Sequence, residues 1–149
     1  MVFYVEGNPK GKARPRFTNQ GGFARAYQTK ADKEWEEKIR TAFLDAGGTK
    51  IDGFCSVDIK ARFGIPKSYT KKEKQHILAH NEPYTKKPDI DNIIKSVLDA
   101  LNGVAYEDDK QVIKVKCVKS YAIGVEPGLE ILIYENDTFA WQTISSVMQ

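Results

Sequence analysis

Apolar and polar residues alternate over "GFCSVDIKARFGIP" (53–66), where Val57 precedes Asp58, Ile59 precedes Lys60 and Phe63 precedes Gly64. That period of two predicts a strand with one buried face. "KQVIKVKCVKSYAI" (110–123) alternates in the same way, with lysines between its apolar positions. "MVFYVEG" opens the chain as a short apolar strand stopped by Gly7, and "GLEILIYE" (128–135) reads as another strand. Pro127-Gly128 separates it from the strand before. A turn there predicts that the last two strands pair antiparallel.

Helical spacing appears three times. Over 30–46, Trp35, Ile39, Ala42 and Phe43 share a face, and Gly47-Gly48 ends the run. In "SYTKKEKQHILAHN", Thr70 reads as an N-cap with Glu73 as its capping-box partner. Over 90–102, Ile94, Val97, Leu98 and Leu101 form an apolar stripe, stopped by Asn102-Gly103. Between the first strand and the first helix lies "NPKGKARPRFTNQGGFARAYQ", too rich in Gly, Pro and Asn for a long regular element. It reads as a long basic loop, with a hairpin turning at Gly21-Gly22. The tail, "NDTFAWQTISSVMQ", reads as a short helix that packs Ala140, Ile144 and Val147 on a neighbour.

These elements predict one α+β domain over 1–149, a mixed or antiparallel sheet carrying helices. A chain of 149 residues buries a core without covalent staples. With 41% hydrophobic and 29% charged residues it has an ordinary globular composition. No apolar run nears the ~20 residues that span a bilayer, and no secretory signal opens the chain. Cys55 and Cys117 lie in predicted strands at no metal-like spacing, as buried thiols of a reducing cytoplasm would.

The net charge is +3, but it is unevenly spread. Residues 1–31 carry Lys10, Lys12, Arg14, Arg16, Arg25 and Lys30 against Glu6 alone. Residues 67–87 carry six lysines, ending in Lys86 and Lys87, against Glu73 and Glu82. Two basic segments on a nearly neutral chain suit a polyanion. Arg14, Arg16, Phe17, Arg25 and Tyr27 mix cations with rings, a composition suited to phosphate contact and base stacking.

The chemistry concentrates in "KKPDIDNIIKSVLDALNGVAYEDDKQV" (86–112). Asp89 and Asp91 flank the start of the third helix, near the positive end of its dipole, a place that favours negative charge. Asp89 as a plain N-cap and Asp91 as a first-turn acid is the bland alternative. Against it, Asp91, Lys95 and Asp99 recur every four residues on one face. Asp99 also borders the apolar stripe, and Asp108-Asp109 stands just before a strand. A loop folding back would bring Asp109 to Asp89 and Asp91. Carboxylates so gathered repel, and a hard divalent cation relieves them: Mg²⁺, or Mn²⁺ in its place. Lys95 adds a fixed positive charge for a phosphate in transit. His76 and His80 have the i, i+4 spacing of zinc ligands but no third partner, so they read as exposed helix residues.

The segment resembles the signature of the RusA family of Holliday junction resolvases: D-x-D-N, then Lys three residues on, then D-A-L, then D-D-x-Q-V. Asp89, Asp91, Asn92, Lys95, Asp99-Ala100-Leu101, Asp108-Asp109 and Gln111-Val112 supply every element. "GNPKGKARPRF" resembles the basic N-terminal stretch of phage and bacterial members. The resemblance implies a RusA-like fold and a homodimeric, Mg²⁺-dependent endonuclease that nicks opposed strands of a four-way DNA junction. It implies a cytoplasmic protein with no membrane partner. It maps metal-binding aspartates onto Asp89, Asp91 and Asp109, and a catalytic lysine onto Lys95. Asp99 and Asp108 match family positions without an assigned role. Each could brace a ligand, and Asp99 could simply pair with Lys95. Lys10, Lys12, Arg14, Arg16, Arg25, Lys86 and Lys87 are expected on DNA. The chain departs from the best-studied members in its N-terminal region and in 64–86. Two rival readings are a junction binder that does not cut and a hydrolase of small phosphate esters. The complete acidic set speaks against the first, and the two basic segments against the second.

Overall fold

The computed structural model describes residues 1–12 and 29–136, with the backbone of 16–18 and 25–27. The elements run β1 (Val2–Glu6), β2 (Arg16–Thr18), β3 (Arg25–Tyr27), α1 (Lys30–Asp45), β4 (Cys55–Phe63), α2 (Lys71–His80), α3 (Ile90–Leu101), β5 (Val112–Tyr121) and β6 (Gly128–Glu135). This is an α+β fold. β1, β6, β4 and β5 form a mixed four-stranded sheet in that order, and β2 and β3 form a separate antiparallel pair. The hairpin expected in the basic loop is therefore present. Its turn and the C-terminal segment lie outside the described residues.

Alternation sets the buried face of the sheet. Cys55, Val57, Ile59, Ala61 and Phe63 of β4 point into the core, as do Leu129, Ile131 and Ile133 of β6 and Phe3 and Val5 of β1. α1 lays Trp35, Ile39 and Phe43 on that face, with the Phe43 ring edge-on to Phe3. α3 adds Ile93, Val97, Ala100 and Leu101. The α1 stripe follows the sequence period, whereas α3 turns Ile93 and Ala100 fully inward and leaves Ile94 and Leu98, expected on its stripe, half-buried at the core's edge. α2 buries only Ile77, so the basic helix is an outlying element. Thr70 caps it as expected, its hydroxyl accepting from the Glu73 N–H. Among the described residues, no helix is long and apolar enough to cross a membrane.

The expected pairing of the last two strands is overturned. β4 lies between them, parallel to β5 and antiparallel to β6. Burial explains the order. β4 is buried along nearly its whole inward face and takes a central place. β5 keeps Lys114 and Lys116 exposed, which suits an edge strand. Pro127-Gly128 is no hairpin turn. Gly128 begins β6, opposite Glu6 on one side and Arg62 on the other.

A strap formed by residues 8–12 leaves β1 and crosses the start of α3. Lys12 N–H donates to the Asn92 carbonyl at 3.0 Å. The approach is so close that a Cβ on Gly11 would stand 2.7 Å from Pro88 Cβ and 2.9 Å from Asn92 Cβ. The Lys12 ammonium then bridges α3 and α1, at 2.6 Å from Asp99 Oδ2 and 3.1 Å from Glu36 Oε1. Burial alone would lower its pKa. The hydrogen bonds and charges of Asp99 and Glu36 outweigh burial and hold it above 10.5.

Two predictions follow from the strap. Gly11→Ala should lower stability by about 1–3 kcal/mol through overpacking, read as a lower denaturant midpoint; an unchanged midpoint would show that the strap yields. Lys12→Met should cost about 1–3 kcal/mol, the worth of hydrogen bonds to charged groups. Because the folded Lys12 pKa is raised, its contribution is fully present below the unfolded value of about 10.5 and fades as pH climbs through the folded value. The stability gap between wild type and Lys12→Met, measured by urea unfolding from pH 8 to 11.5, should therefore narrow only at the alkaline end.

Candidate active site

The chain enters α3 through Lys86, Lys87 and Pro88, and Asp89 takes the N-cap position with extended backbone. An N-cap aspartate ordinarily accepts a hydrogen bond from the first-turn amides. Asp89 does not. Its backbone carbonyl accepts from the N–H groups of Asn92 and Ile93, while its carboxylate stays exposed and uncommitted. Asp91, two residues on in the first turn, is exposed too. Among the described residues neither carboxylate has a hydrogen bond or an ion pair. The bland alternative for Asp89 needed a capping bond that is missing.

Further along the same face, Lys95 Nζ lies 3.8 Å from Asp99 Oδ2, the oxygen that also receives Lys12. Asp99 is thus held between two cations. Its place beside the apolar stripe, odd in sequence, is explained by Lys12 arriving from 87 residues away. Lys95 remains 62% exposed and available to a ligand.

The segment after α3 is buckled against it. Tyr106 is fully buried, and its phenol donates to the Leu98 carbonyl at 2.7 Å. Burial pushes that phenol's pKa up. A single 3₁₀ turn, Asp109–Gln111, then leads into β5. Asp108 caps it: Oδ1 accepts from Lys110 N–H at 2.9 Å, and Gln111 Oε1 accepts from the N–H groups of Glu107 and Asp108. Gln111 Nε2 donates to the carbonyls of Ile51 and Gly53, both at 2.9 Å, and so ties the turn to the loop before β4.

Asp109 is left exposed at the tip of this turn. A hydrogen bond shared with Asp108 raises its pKa, as do burial and the charges of Asp108 and Asp99, while Lys95 opposes them. Asp108 moves the other way, lowered first by the Lys110 N–H and then by Asp109. Asp109 therefore sits in negative surroundings that a cation would relieve.

The structure brings Asp99, Lys95 and Lys12 together, and it places Asp109 within electrostatic reach of Asp99 and Lys95. It does not close Asp89, Asp91 and Asp109 into one cluster. Among the described residues no three carboxylate, imidazole or thiol groups are close enough to hold one ion. The helix supplies a reason: eight residues separate Asp91 from Asp99, about 12 Å of rise. Three unneutralised carboxylates also repel on approach. The donor chemistry still suits a hard divalent ion, being all oxygen, exposed and, at Asp89 and Asp91, free of partners among the described residues.

Of the residues expected on DNA, Lys10, Lys86 and Lys87 are exposed. The Lys86 ammonium lies 4.6 Å from the Tyr69 ring centroid, and the hydrogen bond it shares with Tyr69 raises its pKa. Lys12 is committed to Asp99 and Glu36. Arg16 and Arg25 occupy the β2–β3 pair, and Arg14 lies outside the described residues. His76 and His80 are exposed and stacked, as expected of helix-surface residues. Cys55 is buried; Cys117 is half-buried, and burial pushes its thiol up to about 11. Two residues that shape the site had no assigned role in the sequence, Tyr106 and Gln111. Asp108 and Gln111 do carry a capping-box spacing, a local signal that was available.

Comparison with known proteins identifies the family. The profile of the endodeoxyribonuclease RusA family matches residues 6–134, a span from the end of β1 to β6 that includes every residue of the site. The chain is also 34% identical over 139 residues to the uncharacterized protein YqaN of Bacillus subtilis (strain 168), covering 91% of this chain and 96% of that one. The chain belongs to the RusA family of endodeoxyribonucleases, metal-dependent hydrolases that act on branched DNA.

Proposed function

We propose that this protein is a Mg²⁺-dependent Holliday junction resolvase. It acts as a homodimer that places paired symmetric nicks, in DNA recombination and repair or in phage DNA processing. The observation that carries the reading is Asp89: an acid at a helix N-cap that declines the cap and stays open beside Asp91. Asp89, Asp91 and Asp109 would hold the ion, with Mn²⁺ able to substitute. A bound divalent ion supplies charge neutralisation at the scissile phosphate and an acidified water.

The chain's own groups supply the rest. Lys95 presents an ammonium to the charge that builds on the phosphate. Asp99 restrains Lys95 on the helix face, and Lys12 restrains Asp99, so the lysine's reach is set by the strap. Gln111 and Tyr106 fix the turn that carries Asp109. The exposed lysines 10, 86 and 87, with Arg14, Arg16 and Arg25, contribute phosphate contacts that position the DNA without reading sequence. Two-fold symmetry would set one such site on each of two opposed strands.

The test is cleavage of a mobile four-way junction beside linear duplex, with Mg²⁺, Mn²⁺ or EDTA. The junction should receive paired nicks only when metal is present, and the duplex should stay whole. Asp91→Asn should lose more than about 100-fold in cleavage, beyond what losing a merely supporting group costs, with junction binding retained. Lys95→Ala should lose about 10²–10³-fold. Full activity in Asp91→Asn would sink the assigned roles.

A further inference from the structure

A groove of about 560 Å³ ends at Pro88, the residue before Asp89. Most of its lining comes from the two regions where the sequence departs from the best-studied members, the N-terminal stretch and 64–86, and Phe63, Lys87 and Pro88 complete it. Asn8 Oδ1 accepts from Gly64 N–H at 2.8 Å and joins two of the walls. The Tyr84 ring lies flat on Phe63, with centroids 3.9 Å apart and planes 5° from parallel. The Tyr84 hydroxyl donates to the Lys87 carbonyl at 3.1 Å, and Lys119 donates to the Lys86 carbonyl at 2.6 Å. The third wall is thus fixed on both sides.

The lining has one sign of charge. Among the described residues, Lys67 and Lys87 are its ionic groups and no carboxylate lines it. Both lysines are exposed, and among the described residues neither makes an ion pair. Between them lie rings and apolar side chains, including Pro66 and Tyr84. Two unpaired cations beside a ring surface match one flat apolar group carrying phosphate. A base inside a duplex keeps both faces stacked and cannot enter such a groove, whereas an unpaired base can. Pro88 and Asp89 have α-carbons about 3.8 Å apart, so the occupant borders the acids of α3.

We propose that this groove takes one unpaired nucleotide of the DNA strand next to the nicked phosphate, its base against Tyr84 and Pro66 and its phosphate on Lys67 and Lys87. The proposal rests on the nuclease reading of the α3 acids for the place of the nick. The groove serves a strand that has left its duplex, which is what a branch point offers.

The probe is octathymidylate carrying one 5-iodouracil, mixed with the full chain in EDTA and irradiated. The cross-link, mapped by mass spectrometry, should fall on Tyr84. Lys67→Glu should weaken octathymidylate binding about tenfold at low salt and leave binding of a blunt duplex within twofold. Lys67→Ala should reduce the slope of log K against log salt by about 0.7, the share of one phosphate contact on a single strand. Cross-links confined to other segments would overturn the proposal, as would an equal loss for duplex, which would mark a general phosphate patch. A protein that cuts junctions without the Tyr84 cross-link keeps the nuclease reading and loses the groove. A Tyr84 cross-link in a protein that cuts no junction keeps the groove and loses the nuclease reading.

Discussion

Ile93, Val97, Ala100 and Leu101 of α3 are fully buried against the sheet and α1, and that burial fixes the rotation of the helix about its axis. Each of the larger ones, Ile93, Val97 and Leu101, contributes about 1.5–3 kcal/mol relative to exposure. No other rotation recovers that energy. The helix period then leaves Asp91, Lys95 and Asp99 outside the core, on the opposite face. The strap over Pro88 and Asn92 and the buckle of 106–111 both dock on a helix already held in place. The polar stripe exists because the apolar stripe does.

Charge organises the outer face. Asp99 lies between Lys12 and Lys95 and is fully engaged. Asp89 and Asp91 lack such partners among the described residues, and Asp109 is held above the usual carboxylate range by Asp108. One acid on the helix is therefore structural and the others are open. That division separates a braced acid from two open ones along a single element, and it gives Asp99 and Asp108 structural contacts that the family signature alone did not.

Local signals carried most of the fold. The strands, the three helices, the Thr70 cap and the basic hairpin were readable from period and from Gly, Pro and Thr placement. Sheet order was not. Alternation states which face is buried but not which strand is the neighbour, so the proximity of β5 and β6 in sequence suggested a pair that β4 in fact divides. At the site, the acids and Lys95 were legible because helix spacing displays them. The engagement of Lys12 was not, because it joins positions 87 apart in sequence. Gln111 lay between the two cases: its spacing from Asp108 signals a cap, while its bonds to Ile51 and Gly53 are long-range.

The central claim is that Asp89 and Asp91, at one end of α3, share a metal ion with Asp109 across the turn. Mn²⁺ binding to the DNA-free protein, followed by electron paramagnetic resonance, tests it most directly. Asp89→Asn, Asp91→Asn and Asp109→Asn should each weaken binding at least about tenfold, whereas Asp108→Asn should leave it near the wild-type value. Undiminished binding in Asp109→Asn would contradict the account, because it would leave the metal on α3 alone.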